Sequence, residues 1–402
     1  MQQPSLNVVV VGGGSGGTLS ANLLAKQLGD QISIGKASVH LVLGSQEHIF
    51  QPGYLHVAFA GQDPTEIVRE ERSLVNKNVH LVEEPAQRID LKSQLVTLAS
   101  GEKIHYDYLI IATGSVPNPK AIPGLSEASL NFHTSPEESR KIWNVIQKFD
   151  GGHVVVGIAG VPHKCPPSPN EAAFLIDDHF RKHGTRDKVR LTFLTPYPRP
   201  YPAEPMSRVV EPLFKERAIE VVTFFNVESV DSTKKEIYSL EGESLSYDLL
   251  IMVPPHRGAD VVINSGIGDV DGWIPADKNT MRITGYENAY AIGDATNIPV
   301  SKTGVTAHLQ AITVSDNIVS AIRQRKDLYK YNGRINCPFE MGSGKAAFVV
   351  GSYDMPVKEI RPSRIGYMMK KGFAMFYWRT LSGSFDWLFG LYFGKTQTVE
   401  SV

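Results

Sequence analysis

The chain has 402 residues, with 41 basic and 42 acidic side chains, a formal charge of −1 and two cysteines. At ~100–200 residues per domain it holds two to three domains, and 42% hydrophobic residues exclude a disordered chain. The near-zero charge removes the electrostatic case for nucleic-acid binding, and two cysteines are too few for a disulfide scaffold or a four-thiolate metal site.

Met1–Asn7 lacks the basic region of an export signal, and Val8–Val11 runs straight into a glycine turn, so this apolar run reads as a strand. Further short, β-branched-rich runs predict strands at Val39–Leu43, Tyr108–Ala112, His153–Ile158, Val189–Thr195, Leu249–Val253, Ala289–Ile292 and Lys345–Val350. Between them, helical spacing predicts helices at Gly16–Leu28, Pro136–Phe149, Glu171–His183, Pro205–Arg217 and Thr306–Arg325. Strands alternating with helices predict an α/β chain with parallel sheets. No window holds ~18 unbroken apolar residues, so no spanning helix is expected. No internal repeat is visible, and no His, Cys and Asp cluster has metal-ligand spacing, so no metal is expected.

The first strand feeds Gly12-Gly13-Gly14-Ser15-Gly16-Gly17, followed by a helix. Gly12 makes the tight turn, Gly14 lets the backbone approach a pyrophosphate, and Gly17 lets helix and strand pack closely. The phosphates then sit on the helix N-terminus, with Ser15 and Gly16 beside them. This fingerprint usually has an acid at the end of the second strand to hold a ribose. Here that strand ends in Gly44-Ser45, with Glu47 just beyond. Either Ser45 or backbone groups take the ribose, or Glu47 reaches back.

Two later strands end in Ala112-Thr113-Gly114 and in Gly293-Asp294. With the glycine loop, and in this order, they resemble the FAD motifs of flavoproteins with two dinucleotide-binding domains. The resemblance implies FAD, with Asp294 on its ribityl chain and the Ala-Thr-Gly turn packed near it. Family members that use a nicotinamide carry a second glycine fingerprint midway. Here the equivalent turn is Gly157-Ile158-Ala159-Gly160-Val161-Pro162-His163-Lys164-Cys165-Pro166-Pro167. Its glycine spacing is wrong, and its prolines lack the N–H donors that a pyrophosphate needs.

Cys165 lies in that turn and Cys337 in Asn336-Cys337-Pro338-Phe339, 172 positions later, with no C-x-x-C. Singly, a cysteine is more often a small buried hydrophobe. Lys164 and the following helix start favour a thiolate at Cys165. The ordered set of Lys164-Cys165-Pro166 with Glu171, Pro254-Pro255, Trp273, Gly293 to Pro299, Ser301-Lys302-Thr303 and Cys337-Pro338 resembles sulfide:quinone oxidoreductases. It is similar also to the flavoprotein subunit of flavocytochrome c sulfide dehydrogenase. His48-Ile49-Phe50-Gln51-Pro52 looks like the family segment near the flavin, so Gln51 and Pro52 join the expected cofactor residues.

The resemblance implies a Cys165–Cys337 redox disulfide beside the flavin. Sulfide, as HS⁻, would open it to a persulfide and a thiolate, and two electrons would pass to FAD and then to a quinone. It leaves open which cysteine carries sulfur. Many members have a third cysteine; here Phe132-His133-Thr134-Ser135-Pro136 has none, which implies non-covalent FAD. Glu171 is either a proton acceptor near the sulfur site or a first-turn Glu favoured by the helix dipole. Lys302 and Thr303 are placed by the reading at the flavin's carbonyl edge, and His133, His163, His256 and His308 are candidate proton carriers.

Residues 361–395 hold ten of the chain's 36 aromatics, with six Lys or Arg and one acid. Ile365, Met368, Met369, Phe373, Phe376 and Tyr377 follow helical spacing, and Phe385, Leu388, Phe389 and Tyr392 repeat it. Apolar faces with a basic rim predict two helices in a membrane interface, anchoring the protein peripherally. An ordinary core or dimer helix pair is the plainer alternative. By resemblance, Phe339, Phe376 and Tyr377 line the quinone pocket.

The fold expected is α/β with two Rossmann-like domains and a C-terminal amphipathic helical region. Residues 1–116 and 250–320 form the FAD domain, 117–249 the second domain and 321–402 the membrane and quinone region. A homo-oligomer is compatible with this division. The competing readings are a sulfide dehydrogenase serving a cytochrome, a type II NADH:quinone dehydrogenase and a non-enzymatic flavin redox sensor.

Overall fold

A computed structural model describes residues 6–384 and 397–401. The first third supplies β1 (Leu6–Val11), α1 (Ser15–Gln27), β2 (Ala37–Val42), β3 (Val79–Val82) and β4 (Tyr108–Ile111). The middle third supplies β5 (Gly152–Ile158), α2 (Ser168–Lys182), β6 (Val189–Leu194), α3 (Glu204–Glu216), β7 (Glu220–Val222) and β8 (Leu249–Val253). The rest adds β9 (Ala289–Ala291), α4 (Gly304–Ile322), β10 (Ile335–Glu340), β11 (Ala346–Gly351) and α5 (Arg364–Thr380).

Two parallel sheets form the frame. The first runs β9–β4–β1–β2–β3, so its edge strand comes from late in the chain. The second runs β7–β6–β5–β8. Their strands are apolar on both faces because both are covered: helices pack on one face (Val8 and Val10; Val154 and Val156), and a three-stranded antiparallel sheet packs on the other (Val9 against Ile89 and Val96; Val155 against Val230 and Ile237). Val8, Val9 and Val10 are fully buried, as are Val154, Val155 and Val156. β8, which the expected boundary at 249–250 would split, pairs along its length with β5, from Val154↔Leu249 to Ile158↔Val253. It belongs to the second sheet.

The structure also shows a repeat that was not expected. Each parallel sheet is followed by a three-stranded antiparallel sheet, over 86–105 in one half and 227–246 in the other. A Tyr-Asp pair then leads into β4 and into β8. Asp107 accepts a hydrogen bond from the Asn7 amide at 2.7 Å, and Asp248 accepts one from the His153 amide at 2.7 Å. The halves share a plan, marked by Gly101-Glu102 and Tyr106-Asp107 in one and Gly242-Glu243 and Tyr247-Asp248 in the other.

Beyond the second sheet, β10 and β11 form a hairpin with Cys337 opposite Val349. The hairpin shares one hydrophobic core with α2, the second sheet and α5. Among the described residues no helix is long and apolar enough to cross a membrane.

Candidate active site

The glycine loop is built as the fingerprint requires. Gly12 has φ +110°, and a Cβ there would lie 2.5 Å from the Ala112 carbonyl oxygen. A Cβ on Gly17 would lie 1.8 Å from the Gly12 carbonyl oxygen, so α1 can meet β1 only through glycine. A Cβ on Gly14 would meet nothing within 4 Å, which leaves the approach to the α1 N-terminus open. Gly16 packs on Ile292 and Ala307, seating α1 against α4. The later motifs converge on the same place. The Ser115 hydroxyl, just after Ala112-Thr113-Gly114, donates to Asp294 at 3.5 Å, and the Gly293 amide donates to Gln310 at 2.7 Å.

Three observations fit this cradle to a dinucleotide. It is open at Gly14. The Thr113 hydroxyl is buried with no partner. The Asp294 carboxylate faces the cavity, where burial raises its pKa although Lys302 and Lys164 oppose the shift. The expected ribose contact is not supported by the second-strand turn itself. Ser45 and Glu47 are exposed, and the Ser45 hydroxyl accepts the Glu47 amide at 3.0 Å. The carboxylate that abuts the glycine loop is Glu71, next to Gly13. It comes from a three-residue helical turn that no sequence pattern announces.

A cavity of about 660 Å³ opens from Ser15, Asp294, Lys302 and Thr303 toward both cysteines. Gln51, Pro52, His133, Lys164, Glu171, His308 and Tyr377 also line it. Cys165 is held at φ +53°, its amide donating to the Lys302 carbonyl at 2.7 Å and its carbonyl accepting the Ser168 hydroxyl at 2.8 Å. Gly157 is no part of a phosphate cradle: a Cβ there would lie 2.0 Å from the Leu194 carbonyl oxygen, so it serves the packing of β5 on β6. Cys337 is buried, and both cysteines are free thiols. Hydrogen bonding with Cys165, then burial, pushes the Cys337 thiol well up, so Cys337 keeps its proton. The two sulfurs are therefore neighbours.

Two polar clusters hold them there. The Glu171 carboxylate accepts the Glu340 amide at 2.7 Å and the Lys370 ammonium at 2.8 Å. Lys370 also donates to Glu340 at 2.9 Å, and Glu340 pairs with His56 at 3.0 Å. Burial alone would raise Glu340, but His56 and Lys370 overcome it and hold Glu340 at about 2. Glu171 thus ties α2 to β10 and α5 while lining the cavity. At the far end of α2, Arg217 binds Asp177 at 2.8 Å, Asp178 at 2.7 Å and the Ser343 hydroxyl of the hairpin turn at 2.8 Å.

Behind Cys165 lies a line of histidines. His133 Nε2 is 2.8 Å from the Ser168 hydroxyl, and His133 Nδ1 is 3.4 Å from His256 Nε2. Burial drives His133 well down, and burial followed by Lys164 and His163 holds His256 at about 3. Both are neutral rings at neutral pH. His163 hydrogen-bonds the Lys164 carbonyl at 3.0 Å. The Lys302 ammonium is committed to the Asp294 and Thr296 carbonyls and lies 4.0 Å from the Trp273 ring centroid. Thr303 caps α4 by accepting the Thr306 amide.

The expected quinone residues divide. Tyr377 lines the cavity. Phe339 is fully buried and packs on Tyr201 with ring centroids 5.4 Å apart, so it is a core residue away from the cavity wall. Phe376 points outward and is 44% exposed. The aromatic wall is made instead by Phe50, Tyr54, Phe373 and Trp378. Phe50 lies in the segment expected near the flavin and Phe373 in the expected helical stripe, whereas Tyr54, Trp378, Lys370, Glu340 and His56 are site residues that sequence reasoning missed. Only the i, i+3 and i+7 spacing of Lys370, Phe373 and Tyr377 pointed to a shared face.

Residues 6–313 match the pyridine nucleotide-disulphide oxidoreductase family. The chain belongs to that family. The mitochondrial sulfide:quinone oxidoreductase of Mus musculus is 27% identical, over 93% of this chain and 86% of its own length. The sulfide-quinone reductase of Aquifex aeolicus is 28% identical, over 94% and 92%. The crystal structure of the Aquifex aeolicus sulfide:quinone oxidoreductase superposes with a TM-score of 0.87 at 25% identity, covering 99% of this chain and 97% of that one. This family member is an FAD-dependent oxidoreductase, and its α/β architecture is the one expected.

Proposed function

We propose that the protein oxidises sulfide to sulfane sulfur on Cys165 and Cys337 and passes the electrons through FAD to a membrane quinone. The observation that carries this is the meeting of two distant cysteines in one cavity that also reaches the dinucleotide cradle. HS⁻ attacks one sulfur of the Cys165–Cys337 bridge; the S–S bond breaks, giving a persulfide on one cysteine and a thiolate on the other. A nucleophilic acceptor then takes the sulfane sulfur. Re-forming the bridge from two thiol-level sulfurs releases two electrons, and FAD, when bound, accepts that pair and yields it to the quinone.

The chain's own groups serve each stage. Lys164 faces both Cys165 and Asp294, so its charge steadies an anionic sulfur. Glu171 lies beside Cys337, but its oxygen is held by Lys370, so it positions the site and keeps negative charge near the thiol that retains its proton. His133 Nε2 donates to the Ser168 hydroxyl, whose own hydrogen goes to the Cys165 carbonyl, so this pair holds the Cys165 loop in place. Gly14, Ser15, Thr113 and Asp294 hold the dinucleotide.

The C-terminal helix supports a membrane-seated acceptor. On α5, Ile365, Met368, Met369, Met375 and Phe376 face outward at 74%, 65%, 42%, 78% and 44% exposure. Gly366, Lys370 and Tyr377 face inward. The exposed stripe, rimmed by Arg364, Lys371 and Arg379, suits a lipid surface, and Lys371 and Met375 also line the cavity, which therefore reaches the edge of the stripe. The second expected helix, with Phe385, Leu388, Phe389 and Tyr392, lies outside the described residues.

Anaerobic titration with sulfide tests the reading. Cys165→Ser and Cys337→Ser should retain FAD yet lose sulfide-dependent bleaching of the flavin. Full reduction of either variant would sink it. Truncation after about Pro362 should release the protein from liposomes in flotation.

A further inference from the structure

One buried polar chain takes no part in sulfur handling. Glu71 Oε2 is 2.8 Å from His48 Nδ1, His48 Nε2 is 2.7 Å from the Tyr377 hydroxyl, and that hydroxyl is 2.6 Å from the Ser15 hydroxyl. Thr18 donates to the other Glu71 oxygen at 2.5 Å. Glu71 and His48 are 1% exposed and Tyr377 is 6% exposed. The chain joins α5 to the first residue of α1, beside the open Gly14.

The direction of its hydrogens follows from chemistry. A carboxylate only accepts, so His48 Nδ1 carries a hydrogen toward Glu71. Burial raises the Tyr377 phenol, which stays a neutral hydroxyl. Two orders then remain. With His48 Nε2 bare, Tyr377 donates to it and Ser15 must donate to Tyr377, so Ser15 shows only lone pairs to the cradle. With a hydrogen on Nε2, His48 donates to Tyr377 and Tyr377 donates to Ser15. The Ser15 hydrogen is then free for a phosphate oxygen.

We propose that Glu71, His48 and Tyr377 are positioning residues for the cofactor: with FAD bound, His48 carries hydrogens on both nitrogens and the chain turns the Ser15 hydroxyl onto the pyrophosphate. The C-terminal helix is then part of the dinucleotide site, and FAD retention is linked to one proton. The groups facing His48 are Glu71, Tyr377, Thr18 at 3.4 Å, the Trp378 ring at 5.7 Å and, opposite it in the strand pair, Arg69, whose guanidinium lies over Trp378.

The test is FAD release from the full-length flavoenzyme, followed by flavin fluorescence on dilution between about pH 5.5 and about pH 9. For the native chain the FAD Kd should rise with pH within that range, by up to about tenfold per unit, because release gives up the proton that keeps Ser15 turned. Tyr377→Phe keeps the ring on Phe50, 4.6 Å away, but cuts the chain, and the slope should flatten. If that variant does not hold FAD, His48→Gln is read in its place, with the same expectation. A native profile without slope, or a variant slope equal to the native one, would overturn the proposal.

Discussion

The dinucleotide cradle and the thiol site meet in one cavity but are built in opposite ways. The cradle is local. Gly12, Gly14 and Gly17 lie within six residues, and each is fixed by backbone sterics that a short motif can specify. The thiol site is assembled at a distance. Cys165 is placed by a loop anchored on Lys302, and Cys337 by a hairpin clasped to α2 at both ends, through Glu171 and through Arg217. A cradle of this kind tolerates little change at a few backbone positions, whereas the thiol site depends on ionic clasps that can be loosened by degrees.

Gly17→Ala should break the first region outright. Its methyl would collide with the Gly12 carbonyl at 1.8 Å, so FAD loss and destabilisation above ~4 kcal/mol are expected in chemical denaturation. Lys370→Met should break the second while sparing the first. It leaves Glu171 and Glu340 buried without their cation, which costs about 3–5 kcal/mol and should slow sulfide-dependent flavin reduction.

Acid should act through the same clasp. Glu340 is 5% exposed and held at about 2, below its ordinary 4.5. Because the folded form binds this proton less well than the unfolded form, the stabilisation is present above about pH 4.5 and is lost as pH falls toward 2. It amounts to about 3 kcal/mol, measurable as a falling denaturation midpoint that Glu340→Gln would flatten. Ser343→Ala removes one acceptor of Arg217 at the hairpin turn and should cost only about 1 kcal/mol, with FAD content unchanged.

Much of the frame was readable from the chain. From β1 to α4, every element except the short edge strands β3 and β7, which were not predicted, agrees within a few residues with its predicted range, because buried parallel strands and amphipathic helices leave strong apolar patterns. The hairpin strand holding Cys337 was not predicted, since Pro338 in its middle argues against a strand; it is tolerated in this two-stranded hairpin. The helical stripe on α5 was read as one face, yet the structure turns Phe373 and Tyr377 inward and Phe376 outward. Spacing alone does not fix which side of a stripe meets the protein. The duplicated plan was also not read, although Gly101-Glu102, Tyr106-Asp107 and Leu109-Ile110 recur in the same register as Gly242-Glu243, Tyr247-Asp248 and Leu250-Ile251.

The sequence by itself determined the dinucleotide motifs, the order of strands and helices and the count of two cysteines. Each is a short-range property: a turn that admits only glycine, a periodicity, a number. The tertiary structure decided that residues 172 positions apart share a cavity, that Glu71 abuts the glycine loop, and that Tyr377 reaches Ser15. Those contacts depend on how buried charges and aromatic rings find partners across the core, and side chains far apart in the chain carry no local mark of whom they will meet.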